Sequence, residues 1–171
     1  MANEVFIVSG ARTPIGSFMG NLSSFSAPEL AAAAIQKTLD ASSVEADQID
    51  EVLIGNVVSA GLKQAPARQA MRLAGIPDRC GATTINKVCG SGMKATMLAF
   101  DLIRSGSADT VLSGGMESMS NAPYLLANAR SGLRMGHSDT RDSLFTDGLE
   151  DAETGDSMAV SYTHLRAHET E

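Results

Sequence analysis

Cys89 follows a β-branched stretch at residues 83–88 and precedes Gly90-Ser91-Gly92 and an Ala-, Leu- and Met-rich run that ends at Ser105 and Gly106. The pattern predicts strand, turn and helix in succession. In open α/β sheets ligands bind beyond the carboxyl ends of the strands, so a thiol at that turn is a candidate nucleophile. A helix N-terminus carries partial positive charge from its unbonded N–H groups, which favours a thiolate over a thiol. Gly90 and Gly92 leave room for a carbonyl to approach the sulfur, and exposed backbone N–H groups beside it can hold negative charge on oxygen. The competing reading is a small buried thiol, since free cysteines are among the most buried residue types. A phosphate-binding reading is weaker: Gly90-Ser91-Gly92-Met93-Lys94 lacks the third glycine of a dinucleotide fingerprint and the Gly-Lys-Ser/Thr of a P-loop.

Other chemistry-bearing residues are less well placed. Cys80, in Asp78-Arg79-Cys80-Gly81, lies nine positions before Cys89, which is no CxxC redox or zinc spacing, and reads as a structural or incidental thiol. His137, in Met135-Gly136-His137-Ser138, reads as a loop residue. His164 and His168 stand four apart and could share a metal on a helix, but no third ligand accompanies them and a solvated terminus is the simpler reading. No metal site is expected.

The elements that must position Cys89 are legible from periodicity. The apolar run at residues 5–8 suits a strand buried on both faces of a parallel sheet. Ser26-Ala27-Pro28-Glu29 has the spacing of a capping box, and the Ala/Leu-rich residues 29–39 predict a first helix. Residues 51–58 read as a second strand and residues 65–74 as a second helix, closed by Gly75 and Pro77. The helix after Cys89 is apolar or small nearly all round, which predicts a helix inside the fold. Residues 110–113 supply another strand that runs into Gly114-Gly115. Alternation of this kind points to right-handed βαβ units and a mainly parallel sheet covered on both faces. After Gly115 the text becomes rich in Gly, Ser, Asn and Asp and reads as an irregular excursion.

At 171 residues, 43% of them hydrophobic and 19% charged, the chain is too apolar for disorder and long enough to bury a core without disulfides or metal. A formal net charge of -7 argues against nucleic acid or anionic membrane as the main partner. No apolar run is long enough to cross a bilayer, and Met1-Ala2-Asn3-Glu4 does not open a signal or transit peptide. The expected location is the cytoplasm.

Asn86-Lys87-Val88-Cys89-Gly90-Ser91-Gly92-Met93-Lys94-Ala95 resembles, nearly residue for residue, the acyl-enzyme cysteine motif of thiolases. Further segments agree in order: Val8-Ser9-Gly10-Ala11-Arg12-Thr13-Pro14-Ile15-Gly16, Gly55-Asn56-Val57, Gln64-Ala65-Pro66-Ala67-Arg68-Gln69 and Gly114-Gly115-Met116-Glu117-Ser118-Met119-Ser120. The resemblance implies an α/β fold, a thiolase-like βαβαβ half with a mainly parallel five-stranded mixed sheet, followed by the start of a loop insertion. It divides the chain into an N-terminal half at 1–115, the start of a loop domain at 116–160, and a tail at 161–171. It implies an acyltransferase of the acetyl-CoA acetyltransferase type in fatty acid metabolism, with Cys89 as the catalytic nucleophile, no bound cofactor, a coenzyme A thioester as substrate, and a homo-oligomer, dimer or tetramer. Met158 resembles a position near the family's acyl pocket, although Asp156-Ser157 depart from the pattern.

The resemblance also marks what is missing. Thiolases activate the cysteine with a histidine in a Gly-His-Pro segment and use a second cysteine in a Cys-x-Gly segment; neither segment occurs here. An inactive fragment that retains association, with residues 64–69 between subunits, is therefore the alternative to a working enzyme. Condensing enzymes that share a cysteine nucleophile fit the wording of the motifs less well. Residues 161–171 leave the family pattern and resemble translated adapter sequence, the expected product of a truncated reading frame.

Overall fold

The computed structural model describes residues 4–159. The chain divides into two compact units, Met1–Asn121 and Ala122–Glu171.

The first unit is built around three parallel strands, β1 (Glu51–Gly55), β2 (Gly81–Ile85) and β3 (Val111–Gly115), in the order β2-β1-β3. Leu53 stands opposite Thr83 on one side and Ser113 on the other. As the central strand, β1 is buried on both faces, and its period of two sends Val52 and Ile54 into one core and Leu53 into the other. The first core is covered by α1 (Ala27–Asp40) and α2 (Pro66–Leu73), through Ala31, Ile35, Ala67, Ala70 and Met71. The second is covered by α3 (Ser91–Ser105), through Ala95 and Ala99. The result is an α/β unit of three layers.

The helix boundaries follow local chemistry. At the start of α1 the Glu29 carboxylate accepts from the Ser26 N–H at 2.8 Å and from the Ser26 hydroxyl at 2.7 Å. Beyond α2, Gly75 takes φ +84°, and at the end of α3 Gly106 takes φ +74°; both are left-handed stops that glycine adopts without steric cost. Thr84 of β2 accepts the Ala67 N–H at 3.0 Å and so ties the first turn of α2 to the sheet.

Two expectations are corrected. The sheet has three strands among the described residues, not five, and residues 5–8 are not one of them. Phe6, Ile7 and Val8 are exposed, and the segment lines an apolar cavity of about 320 Å³ with β3, α1 and α3 instead of joining the β3 ladder. The second concerns α3, which is not enclosed. Of its residues only Ser91, Ala95 and Ala99 are buried, while Met93, Met97 and Phe100 are exposed, because no second layer covers that side among the described residues. The other strands differ at their ends: β1 stops at Gly55 and not at Val58, β2 is Gly81–Ile85 where 83–88 was expected, and β3 is Val111–Gly115 where 110–113 was expected.

The second unit contains a two-residue antiparallel pair, β4 (Tyr124–Leu125) with β5 (Arg141–Asp142), and a single π-helical turn at Phe145–Leu149. Asp142 accepts the Leu144 N–H at 2.9 Å, and Ser143 and Leu144 are its buried residues. The segment between the strands is exposed, and residues 161–171 lie outside the described residues. Among the described residues no helix is long and apolar enough to cross a membrane.

Candidate active site

The carboxyl ends of β1 and β3 and the N-terminus of α3 meet at three glycines. A Cβ on Gly55 would lie 2.6 Å from the Ser91 carbonyl carbon and 2.7 Å from the Gly92 nitrogen, separations that real Cβ atoms do not show. Gly55 is thus required for α3 to sit on the sheet. At Gly92 and Gly115 the corresponding contacts are 3.7 Å and 3.5 Å, ordinary van der Waals spacing. This close seating fixes where the residues just before α3 emerge.

Those residues form a tight turn around Cys89. Val88 has φ +47°, a left-handed conformation that costs a β-branched residue of order 1–3 kcal/mol and persists only where surroundings impose it. The Ser91 hydroxyl, buried in the turn, accepts the Lys87 N–H at 2.8 Å and donates to the Val88 carbonyl at 2.6 Å. The Asn86 side chain accepts the Val88 N–H at 3.0 Å. The Gly90 and Ser91 N–H groups bond the carbonyls of Lys87 and Val88, each at 3.0 Å. Cys89 itself is free and exposed. Its thiol is at the carboxyl end of the sheet and at the start of a 15-residue helix, where sequence reasoning expected it, and the buried-thiol alternative is excluded.

Beside this turn a carboxylate braces the strand ends. Glu117, half-buried, accepts from the Asn56 Nδ2 at 2.7 Å and from the Val57 and Val58 N–H groups at 3.0 and 3.1 Å. Asn56 is 2% exposed and also donates to the Met116 carbonyl at 3.3 Å. Its Oδ1 has no partner among the described residues. Burial pushes the Glu117 carboxyl above its ordinary value, against the opposing pull of the three N–H donors. The brace locks the residue after β1 to the residues after β3, one step from the glycines that seat α3.

The other sequence candidates are elsewhere. Cys80 is 2% exposed, packed in the α1/α2 core, with its thiol pushed up by burial. His137 is exposed in the second unit, and the first unit contains no histidine. Met158 is 39% exposed, and His164 and His168 lie outside the described residues. Among the described residues no three His, Cys, Asp or Glu side chains are grouped to hold a metal. Sequence reasoning assigned no role to Gly55, Asn56, Val88, Ser91 or Glu117. All five stand inside the quoted motifs, but their contacts join residues up to 61 positions apart or depend on one backbone angle, and neither is visible in spacing.

A family model described as Thiolase, N-terminal domain, matches residues 5–169. An acetyl-CoA acetyltransferase of Pseudomonas aeruginosa is 48% identical over 162 residues, covering 95% of this chain and 41% of the relative. A cytosolic acetyl-CoA acetyltransferase of Gibberella zeae is 47% identical, covering 94% and 41%. Acetyl-CoA acetyltransferase 2 of Arabidopsis thaliana is 52% identical over 148 residues, covering 86% and 37%. The chain spans about two fifths of the length of these curated relatives.

Proposed function

Because the chain belongs to the thiolase family, we propose that it carries the acyl-accepting half of an acetyl-CoA acetyltransferase site, with Cys89 as nucleophile. The observation behind this is the exposed Cys89 thiol held at a strained turn on a helix N-terminus. In the proposed step the Cys89 Sγ attacks the thioester carbonyl of an acyl-coenzyme A. An Sγ–C bond forms, the bond from carbon to the coenzyme A sulfur breaks, and the thiol proton ends on the departing coenzyme A. The Cys89 N–H is the local donor for the oxygen that becomes negative. In the intact protein a second coenzyme-A-linked carbanion, or free coenzyme A, then takes the acyl group, forming or cleaving a 3-ketoacyl-CoA.

The substrate is a coenzyme A thioester, no bound cofactor is required, and the setting is fatty acid metabolism in the cytoplasm; the name of the cytosolic Gibberella zeae relative supports that compartment. Turnover is not expected of the 171 residues alone, since neither a Gly-His-Pro nor a Cys-x-Gly segment is present. Residues 1–115 are the nucleophile-bearing half, 116–160 the start of a loop domain and 161–171 a non-native tail. Sequencing the source DNA across the codon for Val160 tests that last point: a natural frame running through Glu171 overturns it.

Incubation with acetyl-CoA followed by peptide mapping tests the site. The expected result is an acetyl group on Cys89 and none on Cys80. Absence of acetylation while iodoacetamide still alkylates Cys89 would refute the acyl-accepting reading for this chain. A second property, self-association, is supported by the outward Met93, Met97 and Phe100. The intact protein is read as a homo-oligomer with residues 64–69 between subunits.

A further inference from the structure

Ser91 is 4% exposed, and its hydroxyl makes two bonds within the turn. It accepts the N–H of Lys87 at 2.8 Å and donates to the carbonyl of Val88 at 2.6 Å. These two groups flank Val88 on either side along the backbone. Val88 is the residue at φ +47°, and it immediately precedes the thiol. A β-branched side chain does not adopt that angle without support, and the residue after it points where the angle directs. The hydroxyl is itself fixed, because the Ser91 backbone is pressed against Gly55.

We propose that Ser91 is the positioning residue of the nucleophile turn: its hydroxyl latches Val88 in the left-handed conformation and thereby presents the Cys89 sulfur at the mouth of the turn. The inference rests on the reading of Cys89 as the acyl-accepting thiol and deepens it. It assigns Ser91 no contact with substrate. The alternative is that Ser91 is a small residue chosen only to fit against Gly55, in which case its oxygen is dispensable.

The latch and the fit differ in one consequence. If the hydroxyl serves to hold Val88 left-handed, a glycine at position 88, which takes that angle freely, makes the hydroxyl unnecessary. The test measures the rate of Cys89 alkylation by iodoacetamide at fixed pH in the full chain, with protection of the buried Cys80 as the report of folding. In S91A the Cys89 rate is expected to fall about tenfold, the scale of losing one or two net hydrogen bonds, with Cys80 still protected. In V88G/S91A the rate is expected to return to within about twofold of the parent. An S91A rate equal to or above the parent's overturns the proposal, and so does a loss that V88G fails to restore. If S91A alone exposes Cys80, the double variant decides: recovery of both Cys80 protection and the Cys89 rate supports the latch, and failure of either overturns it. Acetyl-CoA labelling of the parent chain tests the acyl-accepting reading separately, so the two can fail independently.

Discussion

The two faces of the sheet are built differently, although both use the same strand. On the face under α1 and α2, Val52, Ile54, Ile35, Met71 and Ile76 are each at most 4% exposed and the core is closed by small alanines. On the face under α3 the fully enclosed residues are Leu53, Ala95 and Ala99, and the helix turns Met93, Met97 and Phe100 outward. The helix that follows Cys89 is therefore the one with least apolar burial behind it. Its placement comes from backbone contacts at its N-terminus, where Gly55, Gly92 and Gly115 let it sit on the strand ends. Stability and site geometry therefore have separate sources here: one face holds the unit together, and the end of the other aims the thiol.

Met71→Ala is expected to have the largest effect. Met71 is fully buried between the sheet and α1, and its truncation is expected to cost about 2–5 kcal/mol, a large part of a small unit's stability. Urea unfolding of parent and variant measures it; a loss under about 1 kcal/mol would mean that the α1/α2 face is not the main core. Gly55→Ala comes next. Its added methyl meets backbone, not a movable side-chain end, so overpacking is expected to cost about 1–3 kcal/mol. Unlike Met71→Ala, it should also slow Cys89 alkylation in the molecules that remain folded. Equal alkylation rates in the two variants would argue that α3 can shift without moving the thiol.

Much of this was legible in the sequence. The alternation of apolar runs and capped Ala/Leu segments located α1, α2, α3 and the three strands, and the stop signals at Gly75 and Gly106 proved to be left-handed glycines. Cys89 was found because its chemistry depends on local order, strand then thiol then helix, which is written in consecutive residues. What escaped depends on tertiary packing. The residues 5–8 read as a buried strand because β-branched apolar runs say only that burial is available, not which partner supplies it. The helix α3, apolar or small nearly all round, read as enclosed for the same reason. Gly55 carried no sign that a helix terminus would press on it, and Glu117 stood in a motif without revealing that its partners follow β1.

Glu117→Gln acts at the strand ends, where both faces meet. Burial raises the Glu117 carboxyl, so the folded chain binds a proton there more readily than the unfolded chain does. Its contribution to stability is fully present below the ordinary glutamate value of 4.5 and is lost as pH rises through the raised value. Glu29, Asp50 and Asp151 act in the opposite sense: backbone and side-chain donors lower them, and what they contribute is lost as pH falls through their lowered values. The two windows lie on opposite sides of the ordinary carboxylate range. The urea midpoint of the parent is therefore expected to decline as pH rises above 4.5 through the raised Glu117 value, and that of Glu117→Gln to decline less. Parallel declines would show that burial of Glu117 carries no net cost.

Met97→Ala is the smallest expected effect and the cleanest counterpart to Met71→Ala, since the same side chain is removed from opposite faces. Met97 is 54% exposed, so its loss from an isolated chain should change stability by no more than about 0.5 kcal/mol. Its effect should fall instead on self-association, because Met93, Met97 and Phe100 form an apolar surface that a second copy can cover. Sedimentation of parent and variant over a range of concentrations separates the two quantities. A variant that associates less and unfolds at the parent's midpoint at low concentration places Met97 outside the unit's own core. A stability loss that grows with protein concentration would have the same origin, since association stabilises the folded state by mass action. A loss near that of Met71→Ala at every concentration would contradict the asymmetry itself, for it would require α3 to bury its outer face within a single chain.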